Sequence, residues 1–405
     1  MSSASSVLAD SEKIASIREQ FPVLKRFVYL NTGTNGPLPS SSAQVMQDYF
    51  QSELENGRIT MDAFGRMLGE RDKARELLAS MLGCDASEVA LTHNTTEGMN
   101  IALLGIDWQP GDEIITANSE HEGGLNPVAL LKERYGVTVH YTNIGLGDCD
   151  TLAELDRYLS PKTKAVVLSH VSWASGMILP MREISERAHK VGAVVICDAA
   201  QSFGMIPVSV YDLGVDVYAC SGQKWLCGPD GTGALFIRSD RLDFFKQSFM
   251  AYFSLKNRMV SNDVPFEVTE GARRHEAVTI SPATVAGLNT GLEWIAKEVG
   301  WDWAFERIRK LNAYAHKRLG EVPGVQLYLN APSGSGLLHF TLEGMAPPDL
   351  TQALTAKGIL IRHTPLPLLN RVATGFYNTE EDVDKLAEAI GEIYTANLQE
   401  RTQSA

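Results

Sequence analysis

The sequence predicts an α/β protein: a large domain built on a mostly parallel seven-stranded sheet, followed by a smaller α+β domain. Three observations carry this. Seven short apolar runs, at residues 89–92, 113–117, 137–141, 165–169, 193–197, 215–220 and 233–237, have the length and the β-branched content of buried strands. Helical stretches at 125–135, 152–159 and 181–191 lie between most of them, and that alternation places parallel strands beneath helices on both faces. After Pro282 the alternation stops, and two long helices (282–298 and 301–320) lead into a mixed segment.

Residues 1–20 are polar and read as loosely helical. The segment 29–39 (Tyr-Leu-Asn-Thr-Gly-Thr-Asn-Gly-Pro-Leu-Pro) is rich in turn formers and is placed to cover a pocket. Residues 40–83 read as helices whose apolar face is Met61, Phe64, Met67, Leu68, Ala74, Leu77 and Leu78. Residues 240–280, with Phe249, Tyr252 and Phe253 among charges, break the pattern and are expected to reach toward a partner subunit. Beyond the two long helices come strands at 324–328 and 336–342, a helix at 348–357, strands at 359–361 and 371–376, and a closing helix at 380–396. The expected division is an N-terminal segment (1–30) packing with the small domain, a large domain (31–280) and a small domain (281–405).

Of the 405 residues 44% are hydrophobic, enough for a large core. The formal net charge is −13 with no run of Lys or Arg, which argues against nucleic acid and anionic membranes as partners. No apolar stretch has the length of a membrane span. The first residues lack a basic region followed by an apolar core, so no signal peptide is expected. The cysteines, at positions 84, 149, 197, 220 and 227, are odd in number and scattered without a Cys-x-x-Cys pair. That usage fits reduced thiols in the cytoplasm rather than disulfides or zinc.

The segment 215–229 is the centre of the chemistry. It is a strand, then small Ser221 and Gly222, then Lys224 walled by Trp225 and Leu226, then a Gly228-Pro229 break. A lysine held out of water has a lowered pKa, and its neutral amine forms imines with carbonyls. Thr95 and Thr96 follow a strand and open a helix, where free N–H groups and hydroxyls suit a phosphate. The competing reading is N-capping by one of these threonines. Asp198 ends a buried strand, where a carboxylate requires a cation such as a protonated pyridine. His121 follows another strand, suited to a base or to stacking on a ring. With no second histidine at ligand spacing, no metal site is expected. Arg362 and Arg371 lie at or near strand ends, suited to a substrate carboxylate. A helix start for a phosphate, an Asp for a pyridinium, a lysine for an aldehyde and a distal arginine for a carboxylate describe a pyridoxal 5'-phosphate (PLP) enzyme acting on an amino acid.

With Asn-Thr-Thr-Glu-Gly-Met-Asn (94–100), Glu-His (120–121), Asp-Ala-Ala-Gln-Ser (198–202) and Ser-Gly-Gln-Lys-Trp (221–225), the chain resembles the class V aminotransferase and cysteine desulfurase family of fold-type I PLP enzymes over nearly its whole length. The resemblance implies that Lys224 carries the cofactor as an imine, that Asp198 pairs with the pyridine nitrogen and that Gln201 lies near the ring oxygen. It implies that His121 stacks on the ring and that Thr95, Thr96, Ser221 and Gln223 hold the phosphate. Thr279 would reach in from the other subunit of a homodimer, and Arg371, helped by Arg362, would hold the substrate carboxylate. Three departures narrow the branch. No cysteine follows Cys227, which disfavours a persulfide-forming desulfurase. Gln223 stands where the family usually has His, and Trp173 stands where desulfurases have Asn. The segments 104–108 and 33–39 and the arginine pair are most similar to the cyanobacterial cystine C–S lyase branch. The expected activity is β-elimination from L-cystine or a related cysteine S-conjugate. The alternatives are a class V aminotransferase or epimerase-like enzyme on another amino acid, and a non-catalytic PLP-binding protein.

Overall fold

In a computed structural model, residues 10–257, 261–276 and 279–403 are described. The first nine residues of the expected N-terminal helix lie outside this range, and helix α1 (Asp10–Glu19) forms its remainder. A two-residue strand β1 (Val28–Tyr29) precedes two long helices, α2 (Ser40–Asn56) and α3 (Met61–Leu82). The alternating region then runs β2 (Val89–Thr92), α4 (Thr95–Leu104), β3 (Glu113–Ala117), α5 (Glu122–Tyr135), β4 (Thr138–Thr142), α6 (Thr151–Asp156), β5 (Thr163–Ser169), α7 (Met181–Lys190), β6 (Val194–Asp198), α8 (Val210–Leu213), β7 (Val217–Ser221) and β8 (Gly233–Ile237).

These strands form one seven-stranded sheet in the order β2-β8-β7-β6-β5-β3-β4, in which β8 alone runs antiparallel to its neighbours. Side chains alternate between two cores, as the two-residue strand period demands. Val166, Val195, Tyr218 and Phe236 enter the core beneath α3, α7 and α9. Val167, Ile196, Ala219 and Leu235 enter the core beneath α4 and α5. Both faces of the inner strands are covered, so β5 to β8 are largely apolar and stood out in the sequence, whereas the edge strand β4 (Thr-Val-His-Tyr-Thr) is partly exposed.

The second half begins with α9 (Pro282–Trp294), continued by a π turn (Ile295–Val299), and α10 (Trp301–Gly320). Then come β9 (Val325–Leu327), β10 (Leu337–Leu342), α11 (Pro347–Ala356), β11 (Ile359–Leu360), β12 (Arg362–Pro365), β13 (Leu368–Ala373) and α12 (Glu380–Gln403). β12-β13-β10-β9 form an antiparallel sheet, and β1 pairs with β11, which ties the N-terminal segment to this half. α9 packs against α2 and α3 of the first half, so the two halves share a helical seam.

Two sequence expectations change. The hairpin partner β12 was not anticipated, because Arg-His-Thr-Pro has no apolar alternation. The expected face of α3 splits: Ala74 and Leu78 are buried, whereas Met61 is 82% exposed and Phe64 is exposed. The first turns of α3 project beyond the core with Ile59, which is 98% exposed. Among the described residues no helix is long and apolar enough to cross a membrane.

Candidate active site

The carboxyl ends of β2, β3, β5, β6 and β7 face the β12–β13 hairpin across a cavity of about 280 Å³. It is lined by Thr95, Thr96, His121, Trp173, Asp198, Gln201, Ser221, Gln223, Lys224, Arg362 and Arg371, together with Gly33, Thr34 and Asn94. Strand ends of a parallel sheet gather side chains this way because the chain must leave every strand on the same side. All the site residues expected from the sequence meet here except Thr279. That residue is exposed and lines a separate cavity of about 500 Å³ with Arg58, Phe64 and Tyr252.

Lys224 sits on the turn after β7. Burial pushes its pKa down to about 8, with Asp198 opposing the shift and Arg371 and Arg362 adding to it. The turn closes through Cys227 N–H donating to the Lys224 carbonyl at 3.0 Å, with Cys227 in the left-handed region (φ 54°). Such strain persists where surrounding packing over-determines the backbone. Gly36 belongs to the same construction. Its N–H donates to Gln223 O at 2.8 Å, and a Cβ there would lie 2.2 Å from the Lys224 carbonyl oxygen.

The start of α4 answers the capping question. Asn94 is the N-cap, its side chain accepting from Glu97 N–H at 2.9 Å. The competing reading, a cap from Thr95 or Thr96, is therefore set aside, and the Thr95 hydroxyl is left buried without a partner. Ser221 Oγ and Gln223 Oε1 are likewise buried and unpartnered. Orphaned polar atoms are costly unless a ligand completes them. The two hydroxyls converge on one cavity at the N-terminus of a ten-residue helix, where they can donate to a phosphate, whereas Gln223 Oε1 can only accept.

Asp198 ends β6, is 7% exposed, and accepts from Ala200 N–H at 2.9 Å. His121 caps α5, its Nδ1 accepting from Gly123 N–H at 3.0 Å, so the ring is neutral with its proton on Nε2. Burial first, then Lys224, hold its pKa low. Trp173 meets His121 edge-on at 5.3 Å, donates its indole N–H to Ser119 O at 2.8 Å, and accepts through its carbonyl from buried His339 at 3.0 Å. Sequence reasoning passed over Glu120, beside His121. Its carboxylate takes both the N–H (2.9 Å) and the hydroxyl of Ser169, the strand residue paired with Asp198, and burial raises its pKa to about 7.

Arg362 and Arg371 are direct cross-strand partners, which puts both guanidiniums on one face. Both donate to the Thr34 hydroxyl oxygen, at 3.4 and 3.0 Å, while the Thr34 proton goes to Asn31 Oδ1 at 2.7 Å. Arg371 is 1% exposed, and no carboxylate among the described residues offsets its charge. Two cations converging on a neutral oxygen leave the cavity short of an anion. Thr34 was missed as an individual residue, although its segment had the turn composition of a pocket cover. None of the five cysteines lines the cavity, and three of them are buried with thiol pKa values pushed up. Among the described residues no cluster of three or more His, Cys, Asp and Glu could hold a metal ion.

The family model for class-V aminotransferases matches residues 28–386. The chain belongs to the class-V aminotransferase family. Members of this family are PLP-dependent enzymes, and the lysine, carboxylate and orphaned hydroxyls above fit that cofactor. The chain is 28% identical to a probable cysteine desulfurase of Methanothermobacter thermautotrophicus, over 93% of this chain and 97% of that protein. It is 31% identical to a cysteine desulfurase of Synechococcus elongatus, over 95% of this chain and 64% of that longer protein. Among solved structures it is similar to C-DES, described as a cystine C–S lyase in complex with its product cysteine persulfide. There the TM-score is 0.88 at 28% identity, over 92% of this chain and 99% of that one. A lysine-to-alanine variant of C-DES, with glycine covalently linked to its PLP cofactor, superposes equally well. This class-V chain thus has the fold-type I architecture expected from its sequence.

Proposed function

We propose that this class-V enzyme is a C–S β-lyase that acts on L-cystine or a related cysteine S-conjugate, giving pyruvate, ammonia and a thiol or persulfide. The observation that carries the reading is a cavity holding a low-pKa lysine and two arginines without an acid partner, yet no thiol. A desulfurase needs a cysteine to accept sulfur. Here β12 and β13 are joined by the short turn Leu366-Pro367, which leaves no long loop at the arginine pair to carry one.

PLP, when bound, supplies an electron sink for the carbanion at the substrate Cα. Lys224 would hold it covalently, Asp198 would face its ring nitrogen, and Thr95, Ser221 and Gln223 would take its phosphate. Arg371 and Arg362 orient the substrate carboxylate, replacing Thr34 as acceptor. Lys224 Nζ, as a free amine, would take the Cα proton. The Cβ–S bond breaks, sulfur leaves with the bonding pair, and the released enamine hydrolyses to pyruvate and ammonia.

The assembly we infer is a cytoplasmic homodimer. Ile59, Met61, Phe64 and Tyr252 form an exposed apolar surface around the cavity that holds Thr279, and a second copy would cover it. In that arrangement Thr279 serves the partner's site. The test of the activity is pyruvate release from L-cystine by the PLP-loaded protein with no keto acid present. Pyruvate accompanied by a persulfide supports the lyase. Amino-group transfer that requires a keto acid, without pyruvate from cystine, refutes it.

A further inference from the structure

Trp225 directly follows Lys224 and is 1% exposed. Its indole fits because Gly336 lacks a side chain, since a Cβ there would lie 2.6 Å from the ring. Its Nε1–H donates to Gln201 Oε1 at 2.9 Å. On the other side, Gln201 Nε2 donates to the Gly33 carbonyl at 2.8 Å. An indole N–H only donates and a backbone carbonyl only accepts, so the two contacts fix the amide in one of its two orientations. One N–H of Gln201 then remains uncommitted, on a residue that lines the Lys224 cavity. The indole that does line the cavity, that of Trp173, offers nothing, because its N–H is engaged by Ser119 O at 2.8 Å.

We propose that Trp225 is a positioning residue for the cofactor's ring oxygen: its indole N–H locks the Gln201 amide so that the free amide N–H, rather than the carbonyl oxygen, is presented to PLP. A donor at that oxygen stabilises its ionised form and lowers the pH at which the lysine-bound cofactor loses its shared proton. Without the indole N–H, the Gly33 carbonyl alone holds the amide, and the N–H that faces the anionic oxygen is held less firmly. The proposal concerns PLP binding alone and is independent of whether the enzyme eliminates or transaminates.

The test is the pH midpoint of the visible absorbance change of the PLP-loaded enzyme. Trp225→Phe should raise it by about half to one pH unit, part of the roughly one to two units that accompany loss of a whole hydrogen bond to a charged oxygen. Gln201→Leu should raise it by the full shift of about one to two units, and Trp225→Phe added to Gln201→Leu should raise it no further, because the indole acts only through the amide. An unchanged midpoint in folded, PLP-loaded Trp225→Phe, or full additivity in the double variant, overturns the proposal. If Trp225→Phe does not fold, indole 15N–1H spectra decide with Trp225 intact. Among the six tryptophans, one signal must shift and exchange faster with solvent in Gln201→Leu, and no such change overturns the proposal.

Discussion

Replacing Lys224 with methionine should stabilise the apoprotein while abolishing turnover. The side chain keeps its bulk and loses only a charge that the fold disfavours. Burial, with the two arginines, lowers the lysine pKa from 10.5 to about 8. At ~1.36 kcal/mol per pH unit, that makes the charged form about 3 kcal/mol less favourable in the fold than in water. Relaxation of the surroundings screens part of this, so the expected gain at pH 7 is about 2 kcal/mol. The sign follows from linkage. The folded pKa lies below the unfolded one, so between pH 8 and 10.5 the unfolded chain binds more protons and wild-type stability rises with pH. The methionine variant has no such rise. Thermal melts of the two apoproteins should therefore differ by a few degrees at pH 7 and converge toward pH 10.5. A variant no more stable than wild type at pH 7, or a gap that does not narrow with pH, would refute the account of a destabilised amine. The same burial serves the chemistry. At pH 7 about a tenth of the lysine is neutral, against about one in three thousand for an exposed lysine.

Thr95→Ala and Ser221→Ala should each weaken PLP binding about tenfold or more, read by cofactor titration of the apoprotein, since each removes a hydroxyl that has no other partner. Asn94→Ala should instead lower stability by about 1 kcal/mol in denaturant melts, because it removes a helix cap. Gly36→Ala should disrupt the Lys224 turn, where the new Cβ meets the Lys224 carbonyl oxygen 2.2 Å away, and appear as loss of PLP incorporation at unchanged secondary structure by circular dichroism. Arg371→Lys should raise KM for the amino acid at least tenfold while leaving the PLP spectrum unchanged, because a point charge does not reproduce the guanidinium fork.

Much of the site was legible because each residue's role is tied to its local position. Lys224, Asp198 and His121 follow strands, and in a parallel sheet every strand end faces the same side. Thr95 opens a helix, and its freedom to bind depended on its neighbour: Asn94 capping was a local competition among adjacent polar residues, settled only by backbone geometry. The arginines were visible as residues, and as a pair only through the family resemblance, not from the pattern around them. Their alignment is a register between β12 and β13, and β12 carries no hydrophobic period to announce itself.

The sequence by itself determined the sheet, its two-faced burial and the chemical character of the cavity, since apolar periodicity records which side of each element faces a core. Tertiary structure alone decided the contacts between distant segments. Thr34 meets Arg362 across 328 positions, and Gln201 links Gly33 to Trp225. It also decided that Met61 and Phe64 stand outside the core although they continue its pattern. A helix's period says that one face is apolar; what covers that face depends on where the rest of the chain, or another chain, comes to lie.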